Sequence, residues 1–184
     1  TYKLEVEANT EQDSYNHQSL TTASCNGNAP VVSQNFAQIE ATTGGKVQLK
    51  EAPPKGLDLD VPVNFATSSA KRRANFQLKK LSRDQYLSAI SLPSGRILVG
   101  DHLYQLMALT DLSSDLTSFD LPITLTITYL PEEVSTLNEN SLIIYRYDSS
   151  VWHALSDCQL NTSNRTITCT TTQFSDFALL AEPL

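Results

Sequence analysis

Two cysteines, Cys158 and Cys169, bracket the polar run Asn161-Thr162-Ser163-Asn164. Short polar side chains of this kind bond to their own backbone and favour turns. Antiparallel pairing around such a turn would bring the two thiols together, so a disulfide is expected. Closing a loop of this size would stabilise the fold by about 3 kcal/mol in the chain-entropy model. Zinc is the poorer reading, because neither a CxxC motif nor a close histidine pair accompanies the cysteines. Cys25 is left over, either free or paired outside the chain. Both Asn161-Thr162-Ser163 and Asn164-Arg165-Thr166 match the N-glycosylation pattern on this same exposed turn.

Other residue groups are weaker candidates. Asp111, Ser113 and Asp115 place oxygens at alternate positions, as calcium loops do. The central glycine is missing, and Pro122 stands where a bidentate acid belongs, so a solvated acidic turn is the default. Lys71, Arg72, Arg73, Lys79, Lys80 and Arg83 crowd one short stretch that could dock a polyanion, such as an acidic glycan or cell-wall polymer. Lys71-Arg72-Arg73 also reads as a protease nick site at a loop tip. The plainer reading, a solvated face on an acidic protein, is favoured. Trp152 with Tyr145 and Tyr147 could stack on a sugar, but a Trp packed beside the disulfide in a core is the stronger expectation. The histidines are His17, His102 and His153. With no nucleophile–base constellation, phosphate loop or paired-carboxylate signature, neither an enzyme nor a cofactor is expected.

The chain has 184 residues, 40% of them hydrophobic and 18% charged, enough for one globular domain with or without an appendage. A net charge of -7 argues against nucleic acid as a partner. No apolar run approaches the ~20 residues that span a bilayer, so membrane insertion is not expected. Cysteines in a Thr-, Ser- and Asn-rich chain point to an extracellular setting. There is no secretion signal, and Thr1 is an unusual start, as in an excised fragment or mature product.

The elements that must position these groups are mostly strands. Tyr2, Leu4 and Val6 alternate with charged residues, and a polar stretch follows. Residues 1–29 therefore read as an N-terminal strand plus linker, the tail of a preceding module or an excursion of the main sheet. From residue 30 to 184 the strand signals are regular. Val31–Ile39, Lys46–Leu49 and Leu57–Val63 come first, with Pro62 suiting an edge or strand end. Ala74–Leu81, Tyr86–Leu92 and Arg96–Leu109 follow, the last interrupted at Gly100-Asp101. Leu121–Tyr129 alternates most cleanly, with Ile123, Leu125, Ile127 and Tyr129 inward and three threonines outward. Pro131–Leu137 is the single helical candidate, with Pro at its first position and two acids in its first turn. Leu142–Tyr147, Val151–Leu155, Thr166–Thr172 and Phe174–Leu180 close the chain as two consecutive β-hairpins. The expected fold is all-β: an antiparallel β-sandwich of about ten strands with one short helical turn.

Tyr147-Asp148, Trp152, Cys158, Thr166-Ile167-Thr168-Cys169 and Gln173-Phe174-Ser175-Asp176-Phe177-Ala178-Leu179 together resemble a known C-terminal signature. It is that of two related self-cleaving β-sandwich modules, the GAIN domain of adhesion receptors and the ZU-five domain of zonula-occludens and netrin-receptor proteins. Extracellular modules of microbial surface proteins end similarly. The Gly44-Gly45 turn, short strand and alternating strand resemble the start of ZU-five modules. The resemblance implies a surface or secreted module whose partners are neighbouring modules of the same polypeptide, a surface protein or a glycan. Its cleaving members carry His-hydrophobic-Ser/Thr, where the hydroxyl attacks the preceding carbonyl with the histidine as base. Here the tripeptide is Gln173-Phe174-Ser175, and an amide cannot take that proton near neutral pH. A base would have to come from elsewhere, His153 being on the neighbouring hairpin. The expectation is an uncut chain, with Phe174, Phe177, Ala178 and Leu179 closing the core and Ser175 at a bulge.

Overall fold

A computed structural model describes residues 31–51, 53–66, 73–110 and 115–184. The N-terminal strand and linker, His17, Cys25, Lys71, Arg72, Asp111 and Ser113 lie outside the described residues. Within them, eleven strands form two antiparallel sheets. In chain order the strands are β1 (Val31–Glu40), β2 (Gly45–Lys50), β3 (Gly56–Val61), β4 (Arg73–Leu81), β5 (Ile97–Thr110), β6 (Ser118–Thr128), β7 (Leu137–Asp148), β8 (Val151–Ala154), β9 (Gln159–Asn161), β10 (Thr166–Gln173) and β11 (Asp176–Pro183). The six-stranded sheet runs β1-β4-β5-β11-β7-β8 and the five-stranded sheet β2-β3-β6-β10-β9. The all-β sandwich is thus as expected.

Alternation explains the core. On β6, Ile123, Leu125, Ile127 and the following Tyr129 are buried, while Thr126 turns outward and bonds Thr168 of β10 across the ladder at 3.0 Å. They meet Leu57 and Leu59 of β3, Phe76 and Leu78 of β4, and Phe177 and Leu179 of β11 in one apolar cluster. Pro122 sits where the β6–β10 register shifts, a place that needs no ladder donor from it.

Three elements differ from the sequence reading. Tyr86–Leu92 is not a strand: Arg83–Ala89 is an α-helix, α1, lying over the outer face of the six-stranded sheet. Tyr86, Leu87 and Ile90 fall on one helical face and cover Leu98, Leu103 and Leu180, and Asp84 suits the first turn. Arg96–Leu109 is not a strand pair: β5 runs 14 residues, and Gly100 bends it at φ +52 without ending it. Pro131–Leu137 is helical only over Pro131–Val134, as a 3-10 turn, and Leu137 already belongs to β7.

The tail forms two hairpins, β7–β8 and β9–β10. The second uses Gln159–Asn161 as its first arm rather than Val151–Leu155. The last strand, β11, then leaves β10 for the other sheet, where it pairs with β5 on one side and β7 on the other.

Candidate functional site

Cys158 and Cys169 are joined by a disulfide beside the β9–β10 hairpin, with their Cα atoms 4.1 Å apart. Cys169 is buried between the sheets, and Cys158 packs against the same core. Trp152 is elsewhere. It packs with Tyr147 (ring centroids 4.9 Å apart) and Tyr86 (6.3 Å) under α1, on the outer face of the other sheet. The expected Trp–disulfide contact is therefore corrected. The cause is topological, since β8 and β9 belong to different sheets. The Trp152 indole N–H donates to Ser91 O at 3.0 Å, and Tyr145 lies beneath Arg96, 5.8 Å from the ring centroid.

The Gln173-Phe174-Ser175 link joins β10 to β11. Gln173 is exposed. Its carbonyl accepts from the Thr171 hydroxyl at 2.8 Å. Phe174 is buried against Phe119 at 4.6 Å and Phe76 at 5.9 Å. Its N–H donates to Thr117 O at 3.1 Å, and the Ser175 carbonyl accepts from Leu106 N–H at 3.0 Å. The Ser175 hydroxyl donates to the Tyr147 carbonyl, an acceptor that can take no proton from it. His153 is exposed on β8 opposite Arg146, and His102 is engaged elsewhere. A cavity of about 310 Å³ borders the link, lined in part by Gln105, Leu106, Ala108, Leu116 and Phe174. Beside it, burial pushes the Asp176 carboxyl up, against the hydrogen bonds it accepts from Tyr86 (2.9 Å) and Gln105 (3.2 Å). Burial and the neighbouring Asp176 raise the Tyr86 hydroxyl as well.

The densest polar site was not foreseen. Glu51, Lys55, Lys80, Asp101, His102, Tyr104 and Glu133 converge where both sheets meet the 3-10 turn. Lys55 contacts Asp101, reaches Glu133 at 2.6 Å and lies 3.7 Å from Glu51. Lys80 contacts Glu51 and reaches Asp101 at 2.7 Å. The Tyr104 hydroxyl donates to Glu51 at 2.9 Å. His102 is fully buried, with Nδ1 2.8 Å from the Tyr104 oxygen and Nε2 2.9 Å from Glu133, so both nitrogens face oxygen acceptors.

Electrostatics follow from this packing. Burial alone would raise the Asp101 and Glu133 carboxyls. Hydrogen bonds from Lys55 and Lys80 to Asp101 outweigh it, as do those from His102 and Lys55 to Glu133, and both settle at about 2. Burial lowers Lys55, but its carboxylate partners carry it above the usual lysine range. Burial, then Glu51, holds the Tyr104 hydroxyl up. Gly100 is required here, because a Cβ would stand 2.1 Å from Glu133 Oε1 and φ is +52. Each carboxylate is occupied by a cation, an imidazole or a hydroxyl, which makes the cluster an ionic tie between the sheets.

The described members of the basic stretch have separate contacts. Arg73 pairs with Glu40, Lys79 lies 3.5 Å from Met107 Sδ, and Arg83 donates to Gly100 O at 2.9 Å. Lys80 is buried, which corrects its place in a solvent-facing polyanion site. Its position could have been read from β4, where it shares the alternate face of Ala74, Phe76 and Leu78. Asp115 is exposed, in an isolated bridge to Leu109. Asn161 and Asn164 are both exposed on the β9–β10 turn. Among the described residues, no helix is long and apolar enough to cross a membrane.

Comparison of the chain with protein-family models and with curated proteins finds no match.

Proposed function

We propose that the chain is a non-catalytic structural or interaction module, a spacer, stalk or docking domain of a larger surface or secreted polypeptide, of the ZU-five/GAIN-like kind. The observation that carries this reading is the Ser175 hydroxyl, given to the Tyr147 carbonyl while the residue two before it is a glutamine. A hydroxyl in that position has no partner able to take its proton, so the Phe174–Ser175 bond stays whole. The disulfide supports an extracellular setting, since such bonds persist in oxidising compartments. Partners are neighbouring modules of the same polypeptide, or a surface protein or glycan.

Self-cleavage before Ser175 and sugar binding as an accessory module of a secreted enzyme are the competing readings. Against the second, the Trp152 indole is already bonded to Ser91 and packed on tyrosines. Mass under denaturing, reducing conditions separates the first. The proposal expects the whole chain after prolonged incubation at neutral pH. A separate ten-residue piece, Ser175 to Leu184, would establish self-cleavage instead.

A further inference from the structure

The two glycosylation patterns sit side by side on one turn, and the structure distinguishes them. Asn161 ends β9, and its Oδ1 accepts the Asn164 backbone N–H at 3.0 Å, so half of its amide is built into the turn. Asn164 is exposed, and its own side-chain amide is without a hydrogen bond among the described residues. Thr166, whose hydroxyl completes the second pattern, begins β10.

We propose that Asn164 is an N-glycosylation site. In the transfer, Asn164 Nδ2 attacks the anomeric carbon of a lipid-pyrophosphate-linked oligosaccharide. The new C–N bond replaces the C–O bond to pyrophosphate, which leaves, and one amide proton is lost to a base of the transferase. The disulfide on the same hairpin belongs to the compartment in which this reaction occurs. The position also has a structural use. β9 is three residues long and is the outer strand of its sheet. An edge strand presents unpaired N–H and C=O groups to other chains, and a hydrated oligosaccharide at the hairpin tip would add to the protection that its shortness gives.

The inference rests on the secretory reading above, and its test separates the two. The full chain is expressed behind a leader in cultured animal cells, and its mass is read before and after peptide-N-glycosidase treatment. The expected result is one oligosaccharide, removed by the enzyme with conversion of residue 164 to aspartate. It should persist in Asn161→Gln and Thr166→Ser and vanish in Asn164→Gln and Thr166→Ala. A secreted, disulfide-bonded chain without sugar, or with sugar that survives Asn164→Gln, overturns the site alone. A chain retained with free thiols overturns the secretory reading and the site with it.

Discussion

Glu133 lies in a 3-10 turn, yet its carboxylate binds Lys55, His102 and the N–H of Leu130. Its pKa falls from 4.5 to about 2 on folding, so the folded state holds its charge more readily than the unfolded chain. The resulting stability is present above the unfolded value and is lost as pH falls through the folded one, across roughly pH 4.5 to 2. Its size is on the order of 3 kcal/mol at most. Asp101 acts in the same direction, but its side chain is 46% exposed, so solvent screens its share. Asp176 acts oppositely: its raised pKa gives stability below the unfolded value that is lost as pH rises through the folded one. Glu133→Gln should lower the unfolding free energy at pH 7 by roughly 3 kcal/mol, because it strands buried cationic and imidazole groups. It should also flatten the acid limb. Urea titrations at a series of pH values check both, and an unchanged acid limb would remove Glu133 from the account. Little of this cluster was legible in advance. Lys80, His102 and Tyr104 all occupy inward positions of their strands, a pattern visible in the sequence. Their acidic partners come from segments distant in sequence, which alternation cannot bring together.

At the scale of elements, the β9–β10 hairpin depends on its disulfide, since β9 offers a ladder of three residues. Replacing Cys158 and Cys169 together by alanine should cost about 3 kcal/mol, from the freedom returned to the unfolded chain. Urea unfolding of the variant measures this, and an undiminished midpoint would show the hairpin to be held by packing alone. This element was legible, because turn residues and flanking cysteines are local signals. β6 was legible for the same reason, its apolar residues alternating without a break from Ile123 to Tyr129. Helix α1 was not. Its seven residues hold few apolar side chains, and Tyr86, Leu87 and Ile90 fit a short strand as readily as one helical face until the apolar patch of Leu98, Leu103 and Leu180 beneath is known.

At the scale of the whole molecule, strand order is the property that local pattern leaves open. Consecutive strands β10 and β11 share no ladder: the chain crosses from one sheet to the other at Phe174-Ser175. Inside the six-stranded sheet, β11 is bonded on both sides, and Phe177 through Ala181 are buried. With both edges paired, this last strand should be a permanent part of the scaffold and not a piece held ready for release. Hydrogen exchange of the native protein tests that most directly. The Phe177–Ala181 amides should be among the slowest, exchanging only when the entire domain unfolds. Exchange there at the rate of loop amides, while β4 and β5 stay protected, would show a detachable strand instead.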